Sequence, residues 1–194
     1  MTSSTTRRVV LGVGALGVAF AGAAGLASSA LFTSQDTSGA NSFTAGTVVL
    51  GTGAGASVFT VPSIAPGDVA YGKVPVANDG SMELRYAMSS SSTNVDTKGL
   101  AAALSTTIVA ISSDATCNAA AISGGTAIYS GALASAALGS RAVGAQTGDR
   151  VLAAGTSEAL CVAVALPSDA SNGVQGATTT TTLTFDGEQT HNNA

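Results

Sequence analysis

The stretch EALCVAVAL, from Glu158 to Leu166, decides the fold class of this chain. Successive side chains of a β-strand point to opposite faces, so positions 160, 162, 164 and 166 place Leu and Val on one face. The other face carries Cys161 and two alanines, which are small and apolar. A short strand that is apolar on both faces is typical of a buried position, and we therefore predict the central strand of a β-sandwich.

Other short segments resemble this strand in being bounded by Gly, Ser, Asn and Asp clusters, and Val and Thr dominate several of them. The further predicted strands are Gly46–Leu50, Ala56–Val61, Val69–Ala77, Met82–Met88, Leu104–Ile111, Thr126–Tyr129 and Ala177–Phe185. In the last of these, Leu183 and Phe185 share one face and threonines the other, which predicts a half-buried strand at a sheet edge. Two short Ala-rich segments, Thr97–Ala103 and Ala132–Leu138, predict helices. The pattern predicts an all-β, jelly-roll-like β-sandwich with one or two short helical decorations.

Two turns are predicted from glycines that follow Pro or Asp. Gly67 follows Pro66, a pair that suits the central positions of a type II turn. Gly80 follows Asp79 between two predicted strands, as in a tight hairpin. The residues of these turns are Pro66, Gly67 and Asp68 in the first and Asn78, Asp79 and Gly80 in the second.

The N-terminal region has the three-part pattern of an export signal. A basic Arg7-Arg8 pair precedes the uncharged run Val9–Ala27, and small residues follow it. We predict a signal peptide over residues 1–30, removed by a signal peptidase so that the new N-terminus lies between Ala27 and Phe32. The alternative is an uncleaved anchor, since an apolar run of about 18 residues can span a bilayer. The glycines in this run weaken such a helix, so we expect membrane contact only during export.

Composition disfavours nucleic acid as a partner. The chain has 7 Lys and Arg against 11 Asp and Glu, and loss of Arg7 and Arg8 with the signal leaves 5 basic residues and a net charge of −6. Phosphate binding needs a basic footprint, which this chain lacks. Because only 9% of residues are charged, Ser, Thr, Asn and Gly must form most of the polar surface.

No catalytic residue, metal ligand or cofactor is predicted. The run Gly12–Gly17 matches the G-x-G-x-x-G fingerprint, but that motif needs a preceding strand and a following helix, and here only a basic leader precedes it. The one histidine, His191, lies near the C-terminal end, and there is no H-E-x-x-H motif. A catalytic zinc generally needs three protein ligands, so a metallopeptidase site is disfavoured.

The two cysteines, Cys117 and Cys161, are an even number in an exported chain, which favours a disulfide. Two separate buried thiols are the alternative, because both positions lie in apolar surroundings.

Four short motifs, in order behind the signal, resemble the TasA/camelysin family of secreted bacterial surface and biofilm-matrix proteins. They are Asn41–Thr47 (NSFTAGT), Ile64–Asp68 (IAPGD), Val76–Leu84 (VANDGSMEL) and, more weakly, Phe185–Thr190 (FDGEQT). The resemblance implies a jelly-roll-like sandwich, export, and assembly into extracellular fibres in which the N-terminal segment of one subunit completes a sheet of the next.

This resemblance divides the chain into a signal peptide (1–30), a mature N-terminal segment (31–43) and a sandwich domain (44–194). In the segment 31–43, Leu31, Phe32 and Phe43 are the apolar anchors of the predicted donor strand, which would bind mostly through main-chain hydrogen bonds. A disordered N-terminus is the alternative. We therefore expect a self-associating structural protein of the cell surface or matrix and no enzyme. A monomeric secreted binding module, of the carbohydrate or adhesin type, is the next interpretation, and a camelysin-type metallopeptidase follows it.

Overall fold

The computed structural model describes residues 33–37, 50–51 and 64–193, the first two ranges as backbone only. Their strands are β1 (Thr33–Thr37), β2 (Leu50–Gly51), β3 (Val69–Asn78), β4 (Leu84–Ser92), β5 (Ser105–Ser112), β6 (Ala127–Ala132), β7 (Ala137–Leu138), β8 (Arg150–Leu152), β9 (Ser157–Ala165) and β10 (Thr181–Gln189). The helices are α1 (Leu100–Ala103) and α2 (Ala119–Gly124), with 3-10 turns at Leu133–Ser135 and Asn172–Val174.

The strands form two sheets, in which every pairing is antiparallel. Sheet A has the order β1-β10-β4-β7, with β8 also paired to β4, and sheet B has the order β2-β3-β9-β5-β6. The all-β prediction is confirmed. The predicted signal peptide, the anchors Leu31, Phe32 and Phe43, and the predicted strand Ala56–Val61 lie outside the described residues.

The main core lies between the sheets. Leu160, Val162 and Val164 of β9 pack there with residues of β3, β4, β5 and β10, and each of the three is at most 2% exposed. β9 is hydrogen-bonded on both sides, by β3 and β5, which confirms the central position predicted from the EALCVAVAL stretch.

The opposite face of β9 is also buried, beneath α2 and the loop that leads into it. Cys161 is fully buried and forms a disulfide with Cys117, with the two Cα atoms 5.1 Å apart. α2 lies against β5 and β9, and the side chain of Asn118 caps it by accepting a hydrogen bond from Ala121 N at 3.0 Å. The small side chains of this face leave room for α2 and its preceding loop, which the disulfide joins covalently to β9.

A polar contact joins the two sheets at one end of the core. The Tyr86 hydroxyl on β4 donates to Glu158 Oε1 on β9 at 2.7 Å, and Arg150 on β8 donates to both oxygens of the same carboxylate. Burial, reinforced by the hydrogen bond to Glu158, raises the pKa of Tyr86 well above its ordinary value. The hydrogen bond to Glu158 likewise raises the pKa of Arg150, so this guanidinium stays positively charged.

One predicted turn is confirmed and the other is wrong. Asp68 N donates to Ala65 O at 2.9 Å across Pro66-Gly67, and Gly67 has φ +96°, as a type II turn requires. Asp79-Gly80 does not form a hairpin, because β3 and β4 belong to different sheets. The buried Asn78 side chain organises that crossing by accepting from Gly80 N and donating to Met82 O and Leu152 O.

Two further predictions need correction, and one helix was not predicted. β10 is half-buried as predicted but is not an edge strand, because β1 pairs with its outer side. The segment Ala132–Leu138 is no α-helix: it is a 3-10 turn followed by β7, and so leads from the edge of sheet B to sheet A. The helix α2 was not expected at all.

We expect the disulfide to contribute strongly to stability. It closes a loop of 44 residues, which on the chain-entropy model corresponds to about 4 kcal/mol. The double variant C117S/C161A should lose a free energy of unfolding of that order in urea titrations. Dithiothreitol should destabilise the unaltered protein and leave the double variant unchanged. Equal sensitivity of both proteins to the reductant would contradict the assignment.

Candidate assembly seam and the adjacent cleft

The seam between β1 and β10 brings the predicted assembly segment onto the sandwich. β1 pairs with β10 from Thr33 opposite Glu188 to Thr37 opposite Thr184. β1 therefore occupies the edge of sheet A, and on its far side it has no strand partner among the described residues. The structure thus places Thr33–Thr37, part of the segment 31–43, against a sheet of its own chain.

The sequence of β1, TSQDT, contains no large apolar residue. β10, by contrast, is held on its other side by nine registered pairs with β4, and it buries Leu183 and Phe185 in the core. By its sequence, β1 has less apolar surface to bury than β10, and apolar burial is the dominant favourable contribution to the stability of such an element.

A buried ion pair lies on the outer face of sheet A, beside this seam. Arg85 of β4 and Glu188 of β10 are directly opposite in register, and Arg85 Nε donates to Glu188 Oε1 at 2.7 Å. Their side chains are only 7% and 12% exposed. Gly144 N also donates to Glu188 Oε1, at 3.0 Å, and so fixes the loop 139–149 over the sheet.

Asp149 organises that loop, which connects β7 to β8. Its Oδ1 accepts from Ser140 N at 2.9 Å and its Oδ2 from Gln146 N at 2.7 Å. Gly139 begins the loop with φ +61°, and a Cβ placed there would lie 2.2 Å from Asp149 Oδ1. Only glycine fits this position without displacing the carboxylate that holds the loop.

A cleft of about 370 Å³ lies between the loop and the outer face of β4 and β10. Its charged lining consists of two arginines, Arg85 and Arg141, and three carboxylates, those of Asp149, Asp186 and Glu188. Arg141 and Val143 on the loop are exposed, and Val143 is 63% exposed. The cleft is therefore polar and open to solvent.

Comparison with known proteins identifies the family. The sequence model described as camelysin metallo-endopeptidase matches residues 5–194. The chain belongs to the camelysin family. The resemblance to TasA and camelysin seen in the short motifs is confirmed. No curated protein and no solved structure matches this chain.

The description of the family as a metallo-endopeptidase does not support the expectation of a non-enzyme, so we tested the available ligands against a zinc site. Residues 1–63 contribute one acid, Asp36, and neither His nor Cys. Both cysteines are consumed by the disulfide. Across the described residues, no three His, Cys, Asp or Glu side chains are grouped so that they could hold a metal ion. This donor set does not fit a catalytic zinc with three protein ligands.

In the part of the chain that the structure describes, no helix is long and apolar enough to cross a bilayer.

The cleft residues were missed by the sequence analysis. Arg85 lies inside a predicted strand, at a position that alternates with the core residues Leu84 and Tyr86. An arginine at such a position in a chain with few basic residues was the available signal. Its partner Glu188 is 103 residues away, and only the β4–β10 register brings the two together.

We expect Gly139→Ala to destabilise the protein more than Gly155→Ala. Both glycines have positive φ, +61° and +68°, but a Cβ at Gly155 meets nothing within 4 Å. The Gly155 variant thus isolates the backbone cost of about 1 kcal/mol. Gly139→Ala should add a steric cost of at least similar size by displacing Asp149. Urea unfolding measures the loss of stability in each variant. Equal losses would show that Asp149 does not hold the loop.

Proposed function

We propose that this protein is a secreted structural component of the cell surface or extracellular matrix, which assembles into fibres by donation of its β1 segment. The observation that carries this proposal is the polar five-residue strand Thr33–Thr37 at the edge of sheet A, paired with β10. Membership of the camelysin family supports a secreted or surface location. The signal peptide over residues 1–30 and its removal by a signal peptidase belong to this proposal, as does the jelly-roll-like connection of the strands.

Strand donation would preserve the pairing seen within one chain. β1 of one subunit would bind β10 of the next in the same register, so the hydrogen bonds lost within a chain are regained between chains. The segment 38–49 between β1 and β2 has 12 residues and can extend to about 40 Å, so the covalent connection does not force β1 onto its own sheet. Leu31, Phe32 and Phe43 would add the apolar contacts that TSQDT lacks.

Two other functions remain candidates. A monomeric binding module of the carbohydrate or adhesin type would use a surface site, and the cleft beside the seam is one. The family description favours the second candidate, a metallo-endopeptidase. The donor set described above argues against zinc chemistry in this chain, and we therefore place the structural role first.

Cross-linking between two different single-cysteine variants tests strand donation directly. Thr37 is registered with Thr184, so a mixture of T37C and T184C can form the T37C–T184C disulfide only when β1 of one molecule lies on β10 of another. We expect covalent heterodimers in assembled material. S89C is the matched control in place of T184C: Ser89 lies one strand further on, about 10 Å from β1 and beyond disulfide reach.

The double variant T37C/T184C completes this test. Oxidised as a dilute monomer, it should lock β1 onto its own sheet and lose fibre formation in electron micrographs, and reduction should restore the fibres. If the locked protein assembles as well as the unaltered one, strand donation by β1 is wrong.

A peptidase assay tests the metallo-endopeptidase candidate. Purified protein incubated with zinc and a denatured protein substrate should release no more peptide than the same sample with chelator. Chelator-sensitive cleavage that persists after repurification and is abolished by His191→Ala would overturn the non-enzymatic assignment.

A further inference from the structure

The cleft under the loop 139–149 has the size of a small-molecule site. Its volume of about 370 Å³ lies at the lower end of the range for ligand pockets. Its floor is formed by β4 and β10 and its cover by a loop held through Asp149 and Gly144.

Several of its acceptors are already used by the protein. Asp149 accepts a backbone N–H with each of its two oxygens. Glu188 Oε1 accepts from both Arg85 Nε and Gly144 N. These carboxylate oxygens serve to hold the sheet and the loop together.

Two arginines of the cleft, in contrast, have donor groups that are not engaged in this way. Arg85 is 94% buried, since its exposed fraction is 6%, and its Nη2 has no hydrogen-bond partner in the described part of the chain. A buried donor without a partner is destabilising, and an acceptor that reaches Nη2 from the cleft would remove this cost. Arg141, exposed on the loop, lines the same cleft and forms no ion pair with the described residues.

We propose that this cleft binds a small carboxylate, such as a uronic acid residue of an acidic polysaccharide. A planar guanidinium fits a carboxylate through two parallel hydrogen bonds, and two arginines line this cleft. The three resident carboxylates oppose an anion, so the affinity is modest, with a dissociation constant on the order of 1 mM. The inference rests on the geometry of the cleft and holds whether or not the protein forms fibres.

Titration of the purified full chain with D-glucuronate, followed by NMR, tests the proposal. D-glucose is the neutral control with the same ring, and N-acetylglycine supplies a carboxylate on a peptide framework. We expect glucuronate, and not glucose, to shift the amide signals of Val143 and Gly187, which line the cleft. Tighter binding of N-acetylglycine would support the carboxylate site and identify a peptide as its source; tighter binding of glucuronate would identify a sugar.

Two variants that each remove one exposed positive charge supply the matched comparison. R141Q should weaken glucuronate binding roughly fivefold to tenfold through loss of a charged hydrogen bond. K98Q, whose lysine contacts Gln175 O away from the cleft, should bind as the unaltered protein does. R85K should also weaken binding, and R141Q alone carries the test if R85K does not fold. Equal binding of glucose, equal affinity of R141Q and K98Q, or no shift at about 20 mM ligand would overturn the proposal.

Discussion

β9 is apolar on both faces, and leaving either face in water would cost roughly 25 cal/mol for each Å² of apolar surface. The Leu and Val face meets the second sheet, and this contact forms the main core. The Cys161 and Ala face needs a different cover, since small side chains offer little area for a packed helix layer. The protein covers it with a short helix and a loop joined to β9 by the disulfide. The covalent bond takes the place of the apolar area that this face cannot supply.

The positions of the charged groups in sheet A also follow from the difference between its inner and its outer face. Its inner face supplies the core, and among the described residues the loop 139–149 covers part of its outer face. Covering that part of the face buries Arg85 and Glu188, which can be buried only as a pair. The largely buried carboxylate of Glu158, at one end of the core, likewise has partners, because Tyr86 and Arg150 both donate hydrogen bonds to it. Both clusters fix the register of β4 against its neighbours, because displacement by one residue would leave a buried charge without a partner.

The features that sequence predicts best here are those that depend on neighbouring residues. Alternation along β9 and the Pro66-Gly67 turn are local patterns, and the structure confirms both. Asp79-Gly80 shows the limit of such reasoning: the same dipeptide suits a hairpin or a crossing between sheets, and the choice depends on where β4 finds its partners. The edge position expected for β10 was wrong for a related reason. β1 has no apolar alternation, so nothing in TSQDT indicates a strand until β10 provides the pairing.

The cleft could not be predicted because its members come from distant parts of the chain. Arg85, Asp149 and Glu188 meet only after β4 has paired with β10 and the loop between β7 and β8 has closed over them. The two-residue strand β7 and the three-residue strand β8 are too short for a periodic signal, yet they set where that loop begins and ends. Besides Arg85, Gly139 is a local signal, but the steric reason for glycine at this position depends on Asp149, which lies ten residues further along the chain.

The strand β1 covers the edge of sheet A that β10 would otherwise expose. An uncovered β10 would present unpaired backbone groups from Thr184 to Glu188, which any extended chain could bind. β1 covers this edge in its own chain. Under the proposed strand donation, an identical strand from another copy would pair with β10 in the same register and would form the same main-chain hydrogen bonds. The choice between the two pairings would then depend on protein concentration, with dilution favouring pairing within one chain and crowding at a surface favouring exchange.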